Sequence, residues 1–397
     1  MPVLGWLWIA FALNYLDRQM VYSMFPALKG ELGFDGARLG LIGSVFGWVY
    51  TLSMPFAGRL ADVWRRDVLI VASLVLWSIA ALGCGLAGSA WTFLGWRAVM
   101  GVTEALYYPA ALAFLSALYP AAARSRALGV HQSAQLFGAV AGGWYGGWAA
   151  DHVGWRLGFR MPALVGAAYG VALWFGLRRS AGRAPGARSS AGGSVAELVR
   201  SRRFVVLCLA FAAYCAMQWI FFAWFPSFLQ ERFRLSMTAS GWNATVFVQF
   251  ASIAGILGGG ALADRLRRRW PSARLQVAAF GVLLCAPFAY LTFSAATLDQ
   301  ARLFSAGFGL FGGLLAANAF SGAYDVLSED SRGLAGGVLN MTGGVSSATM
   351  IYLAGVWKDT IGFPAMMAAM SAAAVACALL LAVTAGDRGG ASNATAP

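Results

Sequence analysis

The sequence predicts an all-α integral membrane protein with twelve transmembrane helices, and three observations support this fold class. Of the 397 residues, 59% are hydrophobic and only 11% are charged, whereas a soluble domain carries roughly 25% charged residues. Apolar stretches long enough to cross a hydrocarbon core of about 30 Å recur along the chain. These stretches are continuous rather than alternating, which favours helices over barrel strands because a helix satisfies its own backbone hydrogen bonds in lipid.

Twelve spans can be placed in order along the chain. The first six are predicted at 3–28, 39–61, 68–86, 91–118, 127–149 and 158–176. The second six are predicted at 204–228, 240–263, 275–294, 301–327, 333–356 and 363–383. Little chain remains between them, and the sequence offers no metal-binding cluster, paired acid–base carboxylates or activated nucleophile. We therefore expect neither an enzyme nor a bound cofactor or metal.

A polar segment at 178–203, rich in Ala, Gly, Ser and Arg, separates the two sets of spans. It predicts a cytoplasmic linker between a six-helix bundle at 1–177 and a second bundle at 204–397 that ends in a short cytoplasmic tail. Most of the Lys and Arg residues that give the net charge of +13 lie in loops between spans. If both termini are cytoplasmic, these loops are cytoplasmic too. This is the positive-inside bias rather than a nucleic-acid-binding surface. We expect a monomer among the lipids of a bacterial inner membrane, with both termini in the cytoplasm.

The two halves of the chain repeat each other. Phe25-Pro26 and Glu31 recur as Phe225-Pro226 and Glu231, at an offset of 200 residues. Two parallel six-helix bundles with a substrate site near mid-membrane are the arrangement of the major facilitator superfamily. The chain resembles that superfamily over essentially its whole length.

A second repeated string resembles the cytoplasmic loop motif of this superfamily, Gly-x-x-x-Asp-Arg-x-Gly-Arg-Arg/Lys. The matching residues are Gly58, Asp62 and Arg66 in the first copy, where Val63 and Arg65 replace the family Arg and Gly, and Gly260, Asp264, Arg265 and Arg268 in the second. We expect the glycines to permit close helix approach and the carboxylates to pair with arginine in one conformation only, as a cytoplasmic latch. The alternative is that these arginines only set the topology.

Two predicted spans carry charged residues well inside their ends: Asp17 and Arg18 in the first, and Arg97 and Glu104 in the fourth. Each costs roughly 2.5 to 3.5 kcal/mol in hydrocarbon, so each is expected to face a cavity or a partner. Asp17 and Glu104 are candidate proton carriers, and the guanidinium of Arg18 is suited to binding an anion. Arg97 lies two helical turns before Glu104 and is predicted to pair with it. The alternative is a static ion-pair network that joins the two helices.

The strings that carry these charges narrow the resemblance to the anion:cation symporter family. They are Asn14-Tyr-x-Asp17-Arg18, Arg97-x-x-x-Gly101-x-x-Glu104-Ala and Gly154-Trp155-Arg156, with Thr103 where members often have Gly. This resemblance implies co-transport of organic anions, including sugar acids, with protons or other cations. It also implies proton coupling by Asp17 and Glu104 and substrate binding by Arg18. Spinster-like lipid transporters share the first two strings.

Further polar residues inside the spans are candidates for substrate binding. They are Tyr15, Gln135, Gln218, Asn318 and Asn340. Amide groups suit the hydroxyls of a sugar acid, but hydrogen bonding between helices explains each amide equally well. His131 can titrate near neutral pH and joins Arg97 in the predicted charge network, although a packing role is slightly favoured for it. Five glycines between positions 138 and 147 predict a helix-packing surface in the fifth span.

These observations together predict a secondary active transporter. Its leading function is proton-coupled symport of a small organic anion by alternating access, with protons and a small-molecule anion as partners. The alternatives are transport of a lysolipid or another amphiphile, or drug efflux, both of which would use the aromatic residues of the cavity rather than Arg18.

Overall fold

The computed structural model describes residues 2–178 and 194–386, and within these ranges the chain is helical and has no strand. A single 3₁₀ turn in these ranges, at Glu329–Ser331, precedes the last two helices. The α-helices are α1 (Pro2–Ser23), α2 (Phe25–Leu32), α3 (Gly36–Val63), α4 (Arg66–Leu86), α5 (Ala90–Ala105), α6 (Tyr107–Leu118), α7 (Ala121–His152), α8 (Trp155–Arg178), α9 (Val195–Arg200), α10 (Arg202–Phe233), α11 (Met237–Arg267), α12 (Ala273–Phe293), α13 (Leu298–Asp325), α14 (Arg332–Trp357) and α15 (Gly362–Gly386).

The long helices coincide with the twelve predicted spans, and the predicted fold class is confirmed. Helices α5 and α6 together form the fourth span and break at Leu106, shortly before Pro109, which cannot donate a backbone hydrogen bond to the preceding turn. Nine segments in the described ranges are long and apolar enough to cross a membrane by length and composition. Helices α1, α7 and α14, which carry more polar or small residues, complete the twelve.

The described chain divides into two compact units. The first contains the described residues up to 178 together with Trp219–Val246 and Ser347–Ile361, and the second contains the remaining described residues. These boundaries differ from the predicted bundles at 1–177 and 204–397, because the ends of α10, α11 and α14 pack against helices of the first unit. Positions 179–193 of the predicted linker and 387–397 of the predicted tail lie outside the described residues.

In the first unit, glycines of α7 lie directly against the backbone of α1. Gly138, Gly142 and Gly146 follow one another at intervals of four residues and share one helix face. A Cβ on Gly142 would lie 2.6 Å from the carbonyl oxygen of Leu16, and a Cβ on Gly146 would overlap the backbone of Met20. The predicted helix-packing surface is confirmed, because close approach of α7 to α1 requires residues without a side chain.

The same unit has one end at which helices from both halves of the chain meet, and we call it the closed end. It consists of the last turns of α1 and α7, the first half of α3, Trp219–Val246 and Ser347–Ile361. At this end a Cβ on Gly143 of α7 would lie 2.7 Å from the carbonyl oxygen of Gly241 of α11. A Cβ on Gly40 of α3 would lie 2.9 Å from the carbonyl oxygen of Ile351 of α14. These helices meet backbone to backbone.

Buried hydroxyl groups add hydrogen bonds between the helices of the closed end. The Ser23 hydroxyl donates to the carbonyl oxygen of Gly143 at 2.8 Å. The Ser44 hydroxyl is 2.6 Å from the carbonyl oxygen of Ala348. Both serines are fully buried, so each satisfied hydroxyl avoids the cost of an unpaired buried polar group.

In the second unit, the short helix α9 is held by its own glutamate. The Glu197 carboxylate accepts hydrogen bonds from the Ser328 backbone N–H at 2.7 Å, the Ser328 hydroxyl at 2.8 Å and the Ser331 hydroxyl. These bonds, led by the one from Ser331, lower the pKa of Glu197 below its usual range because they stabilise the charged form. Leu198 is buried beside them, so this part of the predicted linker is docked on the unit that follows it.

Candidate functional site

The charged residues of the first and fourth predicted spans meet inside the first unit. The Nε of Arg18 on α1 donates to Oε2 of Glu104 on α5 at 2.5 Å. The Arg18 side chain is 6% exposed and the Glu104 side chain is fully buried. A charge-assisted bond of this kind compensates two ions that would each be costly alone in a low-dielectric interior.

Aromatic rings surround the remaining faces of the Arg18 guanidinium. Its Cζ lies 4.2 Å from the ring centroid of Tyr50, 5.0 Å from that of Tyr15 and 5.1 Å from that of Phe46. Cation–π contacts of this geometry stabilise a cation without neutralising it. Glu104 is therefore the one anion in contact with Arg18 among the described residues, and Tyr15, a predicted substrate-binding residue, lies against the same guanidinium.

Arg97 does not pair with Glu104, so that prediction is wrong. The fully buried guanidinium of Arg97 donates instead from Nε to the carbonyl oxygen of Ile42 at 3.3 Å and lies 4.7 Å from the Phe46 ring. Its Nη2 has no hydrogen-bond partner among the described residues. Arg18 pairs with Glu104 instead, and both guanidinium groups contact the ring of Phe46.

Several oxygen atoms near the ion pair could accept hydrogen bonds but are buried without a donor. Asp17 is 3% exposed and Asn14 is 1% exposed. Within the described chain, Oδ1 of Asp17, Oδ1 of Asn14 and Oε1 of Glu104 accept no hydrogen bond. A buried carboxylate whose oxygen accepts no hydrogen bond is poorly stabilised. Binding of a proton removes its charge. The geometry thus suits both predicted proton carriers.

His131 lies apart from the ion pair, in an aromatic stack. Its ring is 4.6 Å from the Phe11 ring, nearly parallel to it at 10°. The Tyr107 hydroxyl donates to the carbonyl oxygen of Leu7 at 2.7 Å, so the Nε2 of His131, 3.2 Å away, must donate to that hydroxyl oxygen. This arrangement favours the packing role over a place in the charge network.

The remaining candidate substrate-binding residues are divided between the units. Gln135 in the first unit is half-buried and makes no hydrogen bond to any described residue. In the second unit, the Gln218 amide donates to the Tyr214 hydroxyl at 3.0 Å, and Asn340 is exposed. Asn318 is buried there and donates to two backbone carbonyl oxygens, of Gly259 and Leu314, which favours the helix-packing alternative for it.

The first copy of the predicted latch is not formed in this conformation. Asp62 is exposed and makes no ion pair with any described residue, whereas Arg66 is buried. The Arg66 guanidinium donates to the carbonyl oxygens of Ala61 and Ala113, each at 3.3 Å. A Cβ on Gly58 would meet no neighbouring helix within 4 Å. The Asp–Arg pair, which is expected in one conformation only, is thus absent here and stays a prediction, and Gly58 makes no close helix approach within the described residues.

The second copy also uses a different partner from the predicted one. Asp264 pairs with Arg274 at 3.4 Å, and Arg274 pairs in turn with Asp325 at 3.1 Å. Arg265 and Arg268 make no ion pair with any residue in the described ranges, and a Cβ on Gly260 would be unobstructed. Sequence reasoning missed Arg274 and Asp325 because they lie on different helices, outside the repeated string.

Three polar contacts of the first unit were not revealed by the sequence, and those of Asp151 and Glu231 lie at the closed end. Asp151, at the end of α7, accepts hydrogen bonds from the backbone N–H and the hydroxyl of Thr238 at 2.8 and 2.6 Å. Glu31 accepts from Trp155 and pairs with Arg156. Glu231 pairs with Lys358 at 3.3 Å. The repeat of Glu31 as Glu231 was a signal for the last two, but their partners are set by the fold.

Comparison with known proteins gives consistent results. The chain matches the family model of the Major Facilitator Superfamily at residues 7–348 and 207–396. It is 24% identical to "D-galactonate transporter" of Escherichia coli O6:H1, over 96% of this chain and 94% of that one. It is 26% identical to "Probable sulfoacetate transporter" of Cupriavidus necator, over 87% and 84%. A solved bacterial homolog of the human lysosomal transporter Spinster, inward-facing and unoccupied, shares the fold at 18% identity, with a TM-score of 0.79 and coverages of 96% and 93%.

Proposed function

The chain belongs to the major facilitator superfamily, whose members are transporters and not enzymes, and we propose that it carries a small organic anion together with a proton. The names of two relatives, a sugar-acid transporter and a probable sulfoacetate transporter, support an anion with a carboxylate group. In this proposal the membrane is the inner membrane of a bacterium and both termini are cytoplasmic, so the closed end faces the outside.

The observation that carries the proposal is the buried ion pair of Arg18 and Glu104. A guanidinium surrounded by aromatic rings needs one anion in contact with it, and Glu104 fills that place in the absence of substrate. A protonated Glu104 no longer neutralises Arg18, which then takes the carboxylate of the substrate. One proton and one anion therefore bind together, because either event alone leaves a buried charge unpaired.

Replacement of Glu104 by the substrate anion at Arg18 couples the proton gradient to the gradient of the anion. Since the proton favours anion binding, the anion favours proton binding by the same factor. The proposal assigns Glu104 as the proton carrier that competes directly with substrate and Asp17 as a second carrier beside it. Tyr15 and Gln135 belong to the same unit and are candidate contacts to the substrate. Gln218 and Asn340 remain candidate contacts to substrate hydroxyls.

Alternating access requires that the closed end opens when the opposite end closes. In this proposal the two Gly-x-x-x-Asp motifs act at that opposite, cytoplasmic end. Their aspartates Asp62 and Asp264 would then pair with motif arginines only in the state with an open external end, which accounts for their different contacts here.

Uptake into proteoliposomes tests the proposal. We expect D-galactonate or sulfoacetate to accumulate when the external solution is more acidic than the lumen. Arg18→Ala should reduce uptake at least 10-fold, because the substrate loses its cationic partner. Glu104→Gln, which imitates the protonated carboxyl, should abolish accumulation driven by the pH gradient while retaining exchange of external for internal anion.

A matched control is Arg38→Ala, because Arg38 is a half-exposed arginine 3.9 Å from Asp35 and lies on α3, outside both helices of the ion pair. It should transport like the unmodified protein. Accumulation by Glu104→Gln at the unmodified rate would contradict the proposal.

The amphiphile alternative is tested in the same assay by lysophosphatidylcholine. An open groove on the first unit is lined by Trp144 and Trp242 together with the polar residues Ser236, Thr238 and Asn243. Flipping of lysophosphatidylcholine that Arg18→Ala leaves intact, without uptake of either anion, would favour that function instead.

A further inference from the structure

The glutamine that follows the Asp17-Arg18 pair makes a hydrogen bond to a distant helix. Gln19 is 3% exposed, and its Nε2 donates to the carbonyl oxygen of Phe222 on α10 at 2.9 Å. The two residues are 203 positions apart in sequence and both lie in the first unit. The bond thus joins α1 to the part of α10 that belongs to the closed end.

The acceptor is available because of a proline. In an α-helix the carbonyl oxygen of Phe222 would accept from the backbone N–H four residues later. That residue is Pro226, inside α10, which has no N–H. The Phe222 carbonyl is therefore freed in the middle of a 32-residue helix. Because Phe222 is 5% exposed, an unpaired carbonyl there would be costly, and Gln19 removes that cost.

The position of Gln19 is fixed from a second side. A Cβ added to Gly142 of α7 would lie 3.0 Å from the Cβ of Gln19. The stem of the glutamine therefore rests on the glycine face of α7 while its amide reaches α10. Successive residues of a helix point about 100° apart, so Arg18 faces Glu104 while Gln19 faces the Phe222 carbonyl.

We propose that Gln19 is the positioning residue through which the charge state of the Arg18–Glu104 pair controls the closed end. This inference rests on the proposed function. Arg18 and Gln19 are consecutive on one helix and separated by a rise of about 1.5 Å, so a displacement of α1 that follows release of Arg18 also displaces Gln19. The bond to Phe222 exists only while α10 lies against α1, and its loss favours opening.

The titratable and charged groups that surround the two carboxyls come from four helices. Those that interact electrostatically with Asp17 or Glu104 are Tyr15, Arg18 and Tyr22 on α1, Cys84 on α4, Arg97 on α5 and Tyr145 on α7. Tyrosine and cysteine stay neutral at ordinary pH and arginine stays charged. Within this cluster, Asp17 and Glu104 are thus the groups whose change of charge the proposal requires.

The experiment measures how readily the closed end opens, without any substrate. Ser240 is fully buried at this end, and its hydroxyl has no partner in the described chain, so Ser240→Cys removes no contact. In a background whose five native cysteines are replaced by alanine, the rate of labelling by a membrane-impermeant maleimide in proteoliposomes reports opening. The rate is measured from pH 5 to pH 8.

Gln19→Leu should increase the labelling rate roughly 2- to 10-fold, the effect of one net hydrogen bond, and flatten its pH profile. Pro226→Ala supplies the missing backbone N–H, so Phe222 no longer needs Gln19 in either state. In the Pro226→Ala background, Gln19→Leu should therefore change the rate less than 2-fold. A smaller effect in the Pro226→Ala background shows that Gln19 acts through the Phe222 carbonyl, whereas a glutamine that only stabilises the closed end would leave the pH profile intact.

Gln276 offers a matched control in the second unit. Its amide donates to the carbonyl oxygen of Ala382 at 3.1 Å, so Gln276→Leu breaks a bond of the same kind away from the closed end and should leave labelling unchanged. A pH-dependent rate that Gln19→Leu leaves intact would overturn the role of Gln19. A rate in the unmodified protein that neither pH nor Glu104→Gln alters would instead overturn the proposed function.

Discussion

Glu31 and Glu231, equivalent residues of the two halves, each pair with a cation that follows at nearly the same distance along the chain. The partner of Glu31 is Arg156, 125 residues later, and the partner of Glu231 is Lys358, 127 residues later. The sequence repeat thus extends to three-dimensional contacts. Glu31 lies on α2 and Glu231 lies in the last turn of α10, while their partners lie at the start of α8 and directly after α14.

Glu31→Gln should destabilise the protein by about 1 kcal/mol, because the neutral amide weakens bonds to both Trp155 and Arg156. In a chain of this size that corresponds to a lowering of roughly 2 °C in the midpoint of thermal unfolding in detergent. Glu329→Gln is the control, since Glu329 is 85% exposed and pairs only with Arg332 one turn away. Equal midpoints for the two variants would contradict the prediction.

Adjacent glycines of α7 should respond differently to a methyl group. Gly146→Ala presses on Met20 of α1, a contact between neighbouring helices of the first half, and should lower thermal stability by about 1 to 3 kcal/mol. Gly147→Ala presses on Met237 of α11 and should mainly increase labelling of Ser240→Cys.

Gly129→Ala is the control for both glycine variants, because a Cβ there meets no neighbour within 4 Å. It should be neutral or stabilise the helix by up to about 1 kcal/mol. If Gly147→Ala reduced thermal stability as much as Gly146→Ala and left labelling unchanged, the distinction between the two contacts would be wrong.

Asp151 should stabilise the closed end as a cap supplied by another helix. The first N–H groups of a helix lack partners within it, and Asp151 accepts from those of Met237 and Thr238 at the start of α11. Asp151→Ala should therefore raise the labelling rate of Ser240→Cys roughly 2- to 30-fold, as expected from the loss of a cap.

Two further variants check this effect. Asp151→Asn keeps an acceptor oxygen and should have a smaller effect. Asp35→Ala removes the cap of α3, in which the acceptor and the Arg38 N–H belong to the same segment, and should leave labelling unchanged. Labelling that rises equally for Asp35→Ala and Asp151→Ala would show that capping in general, and not this contact, is responsible.

The docking of α9 should depend on pH only in acid. Because hydrogen bonds from Ser331 and Ser328 lower the pKa of Glu197, the charged form stabilises docking at all pH values above the ordinary glutamate range. This stabilisation is lost as the pH falls through the lowered pKa. Hydrogen exchange of 195–200 should thus be protected from pH 8 down to about pH 5.

Glu197→Gln should speed exchange of 195–200 at neutral pH and remove its change in acid. Asp330→Asn, an exposed change on the neighbouring 3₁₀ turn, should not affect it. Protection that Glu197→Gln leaves intact would show that Leu198 alone holds the helix.

The sequence predicted which residues form the site better than it predicted their partners. Charges inside apolar spans are conspicuous, so Asp17, Arg18, Arg97 and Glu104 were identified directly. The spacing along one helix suggested that Arg97 pairs with Glu104, but the crossing of α1 and α5 gives that place to Arg18. Such crossings depend on packing between distant segments, which spacing does not encode.

Gln19 was missed for a related reason. It carries no charge, and its partner is a backbone carbonyl whose availability depends on Pro226 and whose position depends on α10. The fold class, by contrast, follows from hydropathy alone, since the length and continuity of apolar segments determine the helices. The latch motifs were recognised as strings, but the contacts of their residues depend on how the helices pack and cannot be deduced from a repeat.

The two glycine faces of helix α7 limit which substitutions this helix can accept. Its residues at 142 and 146 face α1, while those at 143 and 147 face α11, so two contact surfaces alternate along two turns. A larger side chain at 143 or 147 therefore lies next to a glycine that the contact with α1 requires. Variation that tunes the rate is therefore better tolerated elsewhere, at polar contacts such as Asp151 that can be weakened in small steps without filling space.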